Sequence, residues 1–277
     1  MDKSFWTEIA QHEYAIPAGH DLNELTRELF SYLGHSDPEL RDDIAYGVYA
    51  NWLKQKRYSL EVIREHVALL MANLETGIGE TESDSVFLRT FSALLLAEIV
   101  HNDNKSQLLE KEQVLAVLTR GLWYLAAEQD PRGHIPVKGW VHALAHTADL
   151  MLVLGKNRNT EKTDLERILT AISTKLVNST QSVYIHGEDD RLANAVTAIF
   201  GRDLLTTEFI AAWLKMFTQP QTSWLGAYTE TGQARAFHNT RNFLRSLAYA
   251  IETADPWQDT LTITHLVHDA LDELRPY

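Results

Sequence analysis

The sequence predicts an all-α fold, and three observations support this prediction. Glycine and proline, the residues most typical of turns, number only 13 and 7 among 277 residues. Apolar residues recur with helical periodicity in about eleven segments, and no segment shows the sustained alternation of a β-strand. Cysteine is absent, so the fold contains no disulfide and no thiolate metal site.

The helix boundaries follow from apolar periodicity together with capping residues. Asp21 is a candidate N-cap of the first helix and Gly34 its stop. Asp37 followed by Pro38 is typical of the start of the second. The predicted helices span residues 22–33, 37–55, 59–75, 83–101, 110–128, 139–154, 162–178, 188–202, 206–217, 234–253 and 256–274.

Polar residues near the start of every second helix recur at a nearly constant spacing. The aligned residues are Arg41, Arg89, His142, Arg191 and Arg241. Two helices in about 50 residues resemble the HEAT and armadillo units of about 40 to 47 residues. The sequence therefore predicts one helical-repeat domain over residues 1–277, a HEAT-like α-α superhelix (solenoid) of about five helix pairs. A closed helical bundle is the alternative.

Charge and hydropathy disfavour several classes of partner. The chain carries 25 basic and 38 acidic residues, a formal charge of −13, which opposes binding to the phosphates of nucleic acids. No stretch reaches the roughly 20 apolar residues of a membrane-spanning helix, and the first residues lack the features of a signal peptide. We therefore expect a cytoplasmic protein with no nucleic-acid and no membrane partner.

The segment around residue 142 carries the densest group of candidate functional residues. On the predicted helix over residues 139–154, His142, His146 and Asp149 share one face. These residues form a candidate metal-ligand set, or an acid–base pair with an orienting carboxylate. The glutamate of the metalloprotease helix motif is missing, and structural hydrogen bonding between helix layers is a third interpretation.

Two later segments repeat this combination of imidazole and cationic or amide side chains. His186 leads into a helix whose acidic first turn suits the helix dipole, while Arg191 and Asn194 lie away from its apolar face. His238, Arg241, Asn242 and Arg245 form a polar stripe on a later helix. Because guanidinium groups bind carboxylates and phosphates, this stripe favours anion recognition. Pairing with nearby acids of the preceding segment is the alternative.

Together these segments predict one concave groove. Its candidate residues are Arg89, His134, Lys138, Trp140, His142, His146, Asp149, His186, Arg191, Asn194, His238, Arg241 and Asn242. We expect the groove to bind a small anionic ligand or a peptide. The alternative is a hydrolase-type enzyme that uses His142 and His146, with or without a metal completed by Asp149. The irregular segments 129–138 and 219–233 are candidates to cover an end of the groove.

The segment from Lys138 to Leu150 resembles the signature of a bacterial family catalogued as domain of unknown function 2785. The stretches 132–134, 186–194 and 238–245 are also similar to that family. The resemblance implies a bacterial protein and supports both the helical fold and the importance of the His142 region. It implies no particular activity or cofactor.

Overall fold

The computed structural model describes residues 1–178, 180–219 and 224–276, and within them the regular structure is helical apart from one short hairpin, so the all-α prediction is confirmed. The elements in chain order are α1 (Lys3–Gln11), α2 (Leu22–Tyr32), a π-helix (Glu39–Tyr46), α3 (Gly47–Lys54), α4 (Leu60–Asn73), α5 (Ser85–Ser106), α6 (Lys111–Ala127), β1 (His134–Ile135), β2 (Gly139–Trp140), α7 (Ala143–Gly155), α8 (Lys162–Val177), α9 (Glu188–Phe200), α10 (Thr207–Thr218), a 3₁₀-helix (Ala227–Thr229), α11 (Thr231–Thr253) and α12 (Thr260–Glu273).

Side-chain caps explain where several helices begin. The predicted N-cap Asp21 is confirmed, because its Oδ1 accepts a hydrogen bond from the Glu24 backbone N–H at 3.0 Å. Thr206 caps α10 in the same way. Each such bond satisfies a donor that has no partner inside the helix and contributes about 0.5–2 kcal/mol. The sequence prediction did not include α1, which Asp2 caps.

The predicted helix over residues 37–55 divides into two helices of different type. Its first half forms the π-helix, and α3 follows directly. Arg41 lies within the π-helix with 0% of its surface exposed, and its Nη1 donates to the His35 carbonyl at 2.7 Å. Apolar periodicity does not predict this segment, because a buried arginine depends on partners far along the chain.

Helices two apart along the chain pack side by side. α5 packs against α7, α7 against α9 and α9 against α11, while α6, α8, α10 and α12 make a second series of contacts. The two series also contact each other: α6 packs against α7, and α11 packs against α12. This packing brings the starts of α7 and α9 together. The HEAT-like superhelix predicted from the polar spacing stays a prediction.

One large apolar core joins residues of nearly every helix, and two smaller clusters support local segments. The first small cluster connects α5 to the start of α7 through Val86, Phe87, Val141 and Ala143. The second connects the 3₁₀-helix to α11 and the end of the chain through Trp224, Ala227, Ala236, Phe237 and Leu274. Both therefore fix segments that carry predicted site residues.

Within the described residues, no helix combines the length and apolar character needed to cross a bilayer. The predicted cytoplasmic location stays a prediction. Of the irregular segment predicted over residues 219–233, residues 220–223 lie outside the described residues. Its last part instead begins α11 at Thr231, where the Glu230 side chain accepts from the Gly232 and Gln233 backbone N–H groups.

Candidate functional site

The connection between α6 and α7 contains a short hairpin, formed by β1, β2 and the turn between them. His134 pairs with Trp140 and Ile135 with Gly139. Gly139 has a φ of +77°, and a Cβ at this position would lie 2.8 Å from Pro38 Cβ. The hairpin turn therefore requires glycine for both conformation and space. The predicted helix start at residue 139 is wrong, because this pairing delays α7 until Ala143.

The buried Arg41 holds the hairpin by hydrogen bonds to its backbone carbonyls. Its Nη2 donates to the carbonyls of Lys138 at 2.8 Å and Trp140 at 3.3 Å, and its guanidinium lies over the Phe87 ring. The Lys138 side chain binds Asp84 at 2.7 Å, with both groups partly exposed to solvent. Lys138, a predicted site residue, thus holds the hairpin to the start of α5.

His142 links the hairpin to α7 in a left-handed conformation, with a φ of +51°. Such a conformation in a residue other than glycine costs about 1–3 kcal/mol and persists only where the surroundings enforce it. The His142 ring stacks on the Trp140 ring at a centroid distance of 4.2 Å and an interplanar angle of 24°. The buried Nε2 of His142 has no hydrogen-bond partner among the described residues.

His146 lies one turn into α7 and is also buried. Its Nδ1 and the Thr90 hydroxyl of α5 are 2.9 Å apart, and which atom donates depends on the tautomer. Its ring meets the rings of Phe91 and His142 edge to face. These contacts fix the orientation of the imidazole inside the protein.

Two further imidazoles complete the arrangement around Trp140. The His134 ring lies 4.7 Å from the Trp140 ring, and the His186 ring lies 6.0 Å from it. His186 also packs on the backbone of Gly133, where an added Cβ would lie 2.1 Å from His186 Nδ1. We call this group the histidine cluster; its members are His134, Trp140, His142, His146 and His186.

The two buried imidazoles of the cluster favour their neutral form. Burial lowers the pKa of His142 to about 4, and the charge of Arg191 contributes to the same shift. Burial likewise places the pKa of His146 well below its ordinary value, with smaller contributions from His142 and Arg191. At neutral pH these rings therefore offer a neutral donor and acceptor rather than a positive charge.

Polar and charged side chains of the π-helix, α5, α7 and α9 lie beside the histidine cluster; they are Tyr46, Glu98, Asp149 and Arg191. Arg191 Nη1 binds Asp149 Oδ2 at 2.5 Å. Burial raises the pKa of Asp149, and Arg191 opposes this shift. Burial also raises the pKa of Tyr46 to about 12, and Glu98 and Asp149 add to the shift. Sequence reasoning did not select Tyr46 or Glu98 as site residues. The signal that could have identified Glu98 is that it interrupts the apolar run of α5.

The predicted metal-ligand set is not assembled. Among residues 1–178, 180–219 and 224–276, no group of three or more His, Asp or Glu side chains has a geometry suited to a metal ion. Asp149 is bound to Arg191, and His146 Nδ1 is bound to Thr90. His142 precedes α7 rather than lying on it, so the helical spacing behind the prediction does not apply.

A second polar group lies on α11. Arg241 Nη2 and His238 Nδ1 are 2.9 Å apart, and the Arg241 guanidinium lies over the Phe237 ring. Tyr228 stacks on His238 with ring centroids 5.7 Å apart and is 47% exposed. The Arg241 Nε is buried without a hydrogen-bond partner among the described residues. The pKa of His238 is lowered by burial and then by Arg241 and Arg245.

Two hydrogen bonds between α11 and residues 184–190 fix the position of Arg241 relative to the histidine cluster. The Tyr184 backbone N–H donates to Asn239 Oδ1 at 2.8 Å, and Ser246 Oγ donates to Asp190 Oδ1 at 2.7 Å. Arg241 lies between Asn239 and Ser246 on α11, so it is beside the segment that leads through His186 into α9.

The remaining predicted residues lie elsewhere or make no contact that defines a role. Arg89 does not join the cluster: it is 0% exposed, and its Nε binds Glu128 Oε2 at 2.6 Å. Asn194 is exposed on α9, and Asn242 is partly buried on α11. The acids beside His186 are not ion-paired with Arg241 among the described residues, because Glu188 accepts from the His186 backbone N–H and Asp190 from Ser246.

Comparison with known proteins identifies a family for this region. Residues 74–249 match the family described as protein of unknown function (DUF2785), and they include the histidine cluster and Arg241. No curated protein and no solved structure matches the chain. The bacterial origin implied by the resemblance stays a prediction. The match confirms the family predicted from the segment 138–150, and the chain belongs to the DUF2785 family.

Proposed function

We propose that this protein binds a small anionic ligand at the polar group of α11, with Arg241 as the residue that contacts the anion. The observation that supports this most is the state of the Arg241 guanidinium. It contacts a neutral imidazole and an aromatic ring, its Nε is buried without an acceptor, and no carboxylate among the described residues pairs with it. A partly buried guanidinium in this state favours a bidentate anion.

Arg202 and Arg41 provide a contrast. Arg202 donates to the carbonyls of Gly155, Asn157 and Thr160, and Arg41 donates to three carbonyls. These guanidinium groups meet several protein acceptors, and Arg41 Nε, although buried without a hydrogen bond, lies 3.0 Å from the Asp42 carboxylate. Arg241 lacks such acceptors in a protein of formal charge −13.

Aromatic surface beside Arg241 supports a ligand with a planar or apolar part. Tyr228 stacks on His238 and keeps nearly half of its surface exposed. Stacking on such a ring adds to affinity without requiring a second charge. The concave groove and the inclusion of the histidine cluster in the binding surface stay predictions.

Hydrolysis by His142 and His146 is the alternative function, and the geometry favours it less than binding. A general base works best with a pKa near the operating pH, whereas burial lowers the pKa of both imidazoles. Thr90 also holds His146, and Asp149 is bound to Arg191. Asp149 is therefore engaged by Arg191 and is not free for the role that the alternative assigns to it.

Calorimetric titration of the full chain with inorganic phosphate, and separately with a short glutamate-rich peptide, tests the proposal. We expect at least one probe to bind, and Arg241→Gln to weaken it by about tenfold or more, because hydrogen bonds to charged groups contribute about 1.5–3 kcal/mol. Arg167→Gln is the matched control, since Arg167 is an exposed arginine on α8. Absence of binding by both probes, or equal weakening in both variants, would contradict the proposal.

A further inference from the structure

A cavity of about 390 Å³ lies among α6, α7 and α8, apart from Arg241 and the histidine cluster. Its volume falls within the range of about 300–1,000 Å³ that is typical of small-molecule sites. Ala143, Leu144 and Thr147 of α7 line it. At 100° per residue these three lie on the opposite face of α7 from Asp149, so the cavity and the charged group beside the cluster are separated by the helix.

The cavity wall contains a lysine whose charge has little compensation. Lys175 of α8 donates from Nζ to the Glu128 backbone carbonyl at 2.6 Å, and that carbonyl is the acceptor it contacts among the described residues. An ammonium group has three donors. Burial lowers the pKa of Lys175, and the Glu128 carboxylate opposes this shift. The ammonium group is therefore partly desolvated without a full set of acceptors.

The two carboxylates that line the cavity are already engaged by arginines. Glu128 binds Arg89 through both carboxylate oxygens, at 2.6 and 3.3 Å. Asp130 binds Arg132 through both oxygens: Oδ2 lies 2.5 Å from Arg132 Nη2, and Oδ1 lies 2.9 Å from Arg132 Nε. Each acid is thus matched by one arginine, and the charge of Lys175 is left over.

The rest of the lining is suited to an organic body rather than to a bare ion. Leu125, Ala126 and Leu144 supply apolar surface. Tyr184 supplies a phenol that stays protonated, because burial raises its pKa to about 12. The lining also contains polar side chains, among them Gln129, Thr147 and Gln181. The unmatched charge of Lys175 beside apolar surface suits a monoanion, whereas a phosphate dianion would leave a negative charge inside the cavity.

We propose that this cavity is a second binding site, which takes a small monocarboxylate with an apolar body and holds the carboxylate at Lys175. The site does not depend on Arg241, so its occupancy and that of the proposed α11 site are separable.

The test is titration of the full chain with hexanoate, with hexanamide as the uncharged ligand of the same shape. We expect hexanoate to bind, hexanamide to bind at least about tenfold more weakly, and Lys175→Met to reduce hexanoate affinity by about tenfold or more. Lys215→Met is the matched control, because Lys215 is exposed on the neighbouring α10. Hexanoate that binds at Arg241 instead of in the cavity would be lost in Arg241→Gln and retained in Lys175→Met.

A second measurement keeps the test decisive if Lys175→Met does not fold, as judged by circular dichroism. Amine acetylation of the wild-type protein, read by mass spectrometry at each lysine, should slow several-fold at Lys175 and not at Lys215 when hexanoate is present. No binding of hexanoate, equal binding of hexanamide, equal binding by a folded Lys175→Met variant, loss of binding in Arg241→Gln, or unprotected Lys175 would each overturn the proposal.

Discussion

Arg89 near the start of α5 and Arg241 on α11 occupy aligned positions in the predicted repeat, but their surroundings differ. Arg89 is 0% exposed and donates to the Glu128 carboxylate and to the carbonyls of Thr76 and Gly77, the two carbonyl contacts each measuring 2.9 Å. Arg241 is partly exposed, and the acceptor it meets among the described residues is the His238 ring. One guanidinium is saturated by the protein, and the other is not.

The difference between the two arginines that the predicted repeat aligns lies in the acceptors around them. A guanidinium carries five N–H donors, and a buried one is stable only when acceptors meet them. Around Arg89 the end of α4 and the end of α6 supply these acceptors. Around Arg241 the described residues supply one imidazole nitrogen, and the remaining donors meet no acceptor among them.

The largest expected effect is on stability at Arg89. Arg89→Met leaves the buried Glu128 carboxylate without its cation and should lower the free energy of unfolding by about 3–5 kcal/mol. Urea denaturation followed by circular dichroism measures this change. Arg27→Met is the control, because Arg27 is 74% exposed and pairs with an exposed acid. The control should change stability by less than about 1 kcal/mol.

A loss of less than about 1 kcal/mol in Arg89→Met would remove the contrast, because it would mean that a saturated guanidinium contributes no more than a surface pair. Equal losses in Arg89→Met and Arg27→Met would have the same meaning.

Local signals predicted much of the helical framework. The Asp21 cap and the acidic first turn of α9 act within a few residues, so the starts of α2 and α9 are readable from sequence. The π-helix is not readable in this way, because Arg41 is buried by carbonyls of the hairpin almost a hundred positions later in the chain. The start of α7 was missed for a different reason, since local pairing of β1 with β2 overrides the helical pattern.

The candidate site was predicted less completely than the framework. Sequence reasoning selected His142, His146 and His186, and the structure brings these rings into one cluster. It also placed Arg89 in the groove, although Arg89 is buried against Glu128. Spacing alone identifies polar residues at helix starts, but it does not count the acceptors that tertiary packing brings to each. Lys175 went unnoticed because a single lysine on an amphipathic helix carries no local signal.

The second expected effect is a loss of stability in acid, and it compares the buried His146 with the partly exposed His238 beside Arg241. The pKa of His146 is lowered by burial, so the unfolded chain, with an ordinary histidine pKa of about 6.5, binds more protons than the folded protein. Stability is therefore full above pH about 6.5 and falls as the pH decreases, by about 1.4 kcal/mol per pH unit for each proton taken up. His142, with a pKa of about 4, contributes in the same direction down to that pH.

Urea denaturation of His146→Gln over this pH range measures the contribution. Glutamine keeps a polar partner for Thr90 and does not titrate, so the decrease in stability on acidification should be smaller than in the wild type. His101→Gln, an exposed substitution on α5, should leave the pH dependence unchanged. His238→Gln should reduce it less than His146→Gln, because His238 is partly exposed and its charge is screened. An unaltered pH dependence in His146→Gln would contradict the assignment.

The smallest expected effect on stability is at Arg241, and it is the one on which the contrast with Arg89 depends most. In the absence of ligand, Arg241→Gln should change the free energy of unfolding by less than about 0.5 kcal/mol, because it removes no ion pair and relieves a buried Nε that lacks an acceptor. The same urea denaturation measures it beside Arg89→Met. A loss of about 2 kcal/mol or more would show that the guanidinium stabilises the fold as Arg89 does, and the reason for assigning it to an anionic ligand would no longer hold.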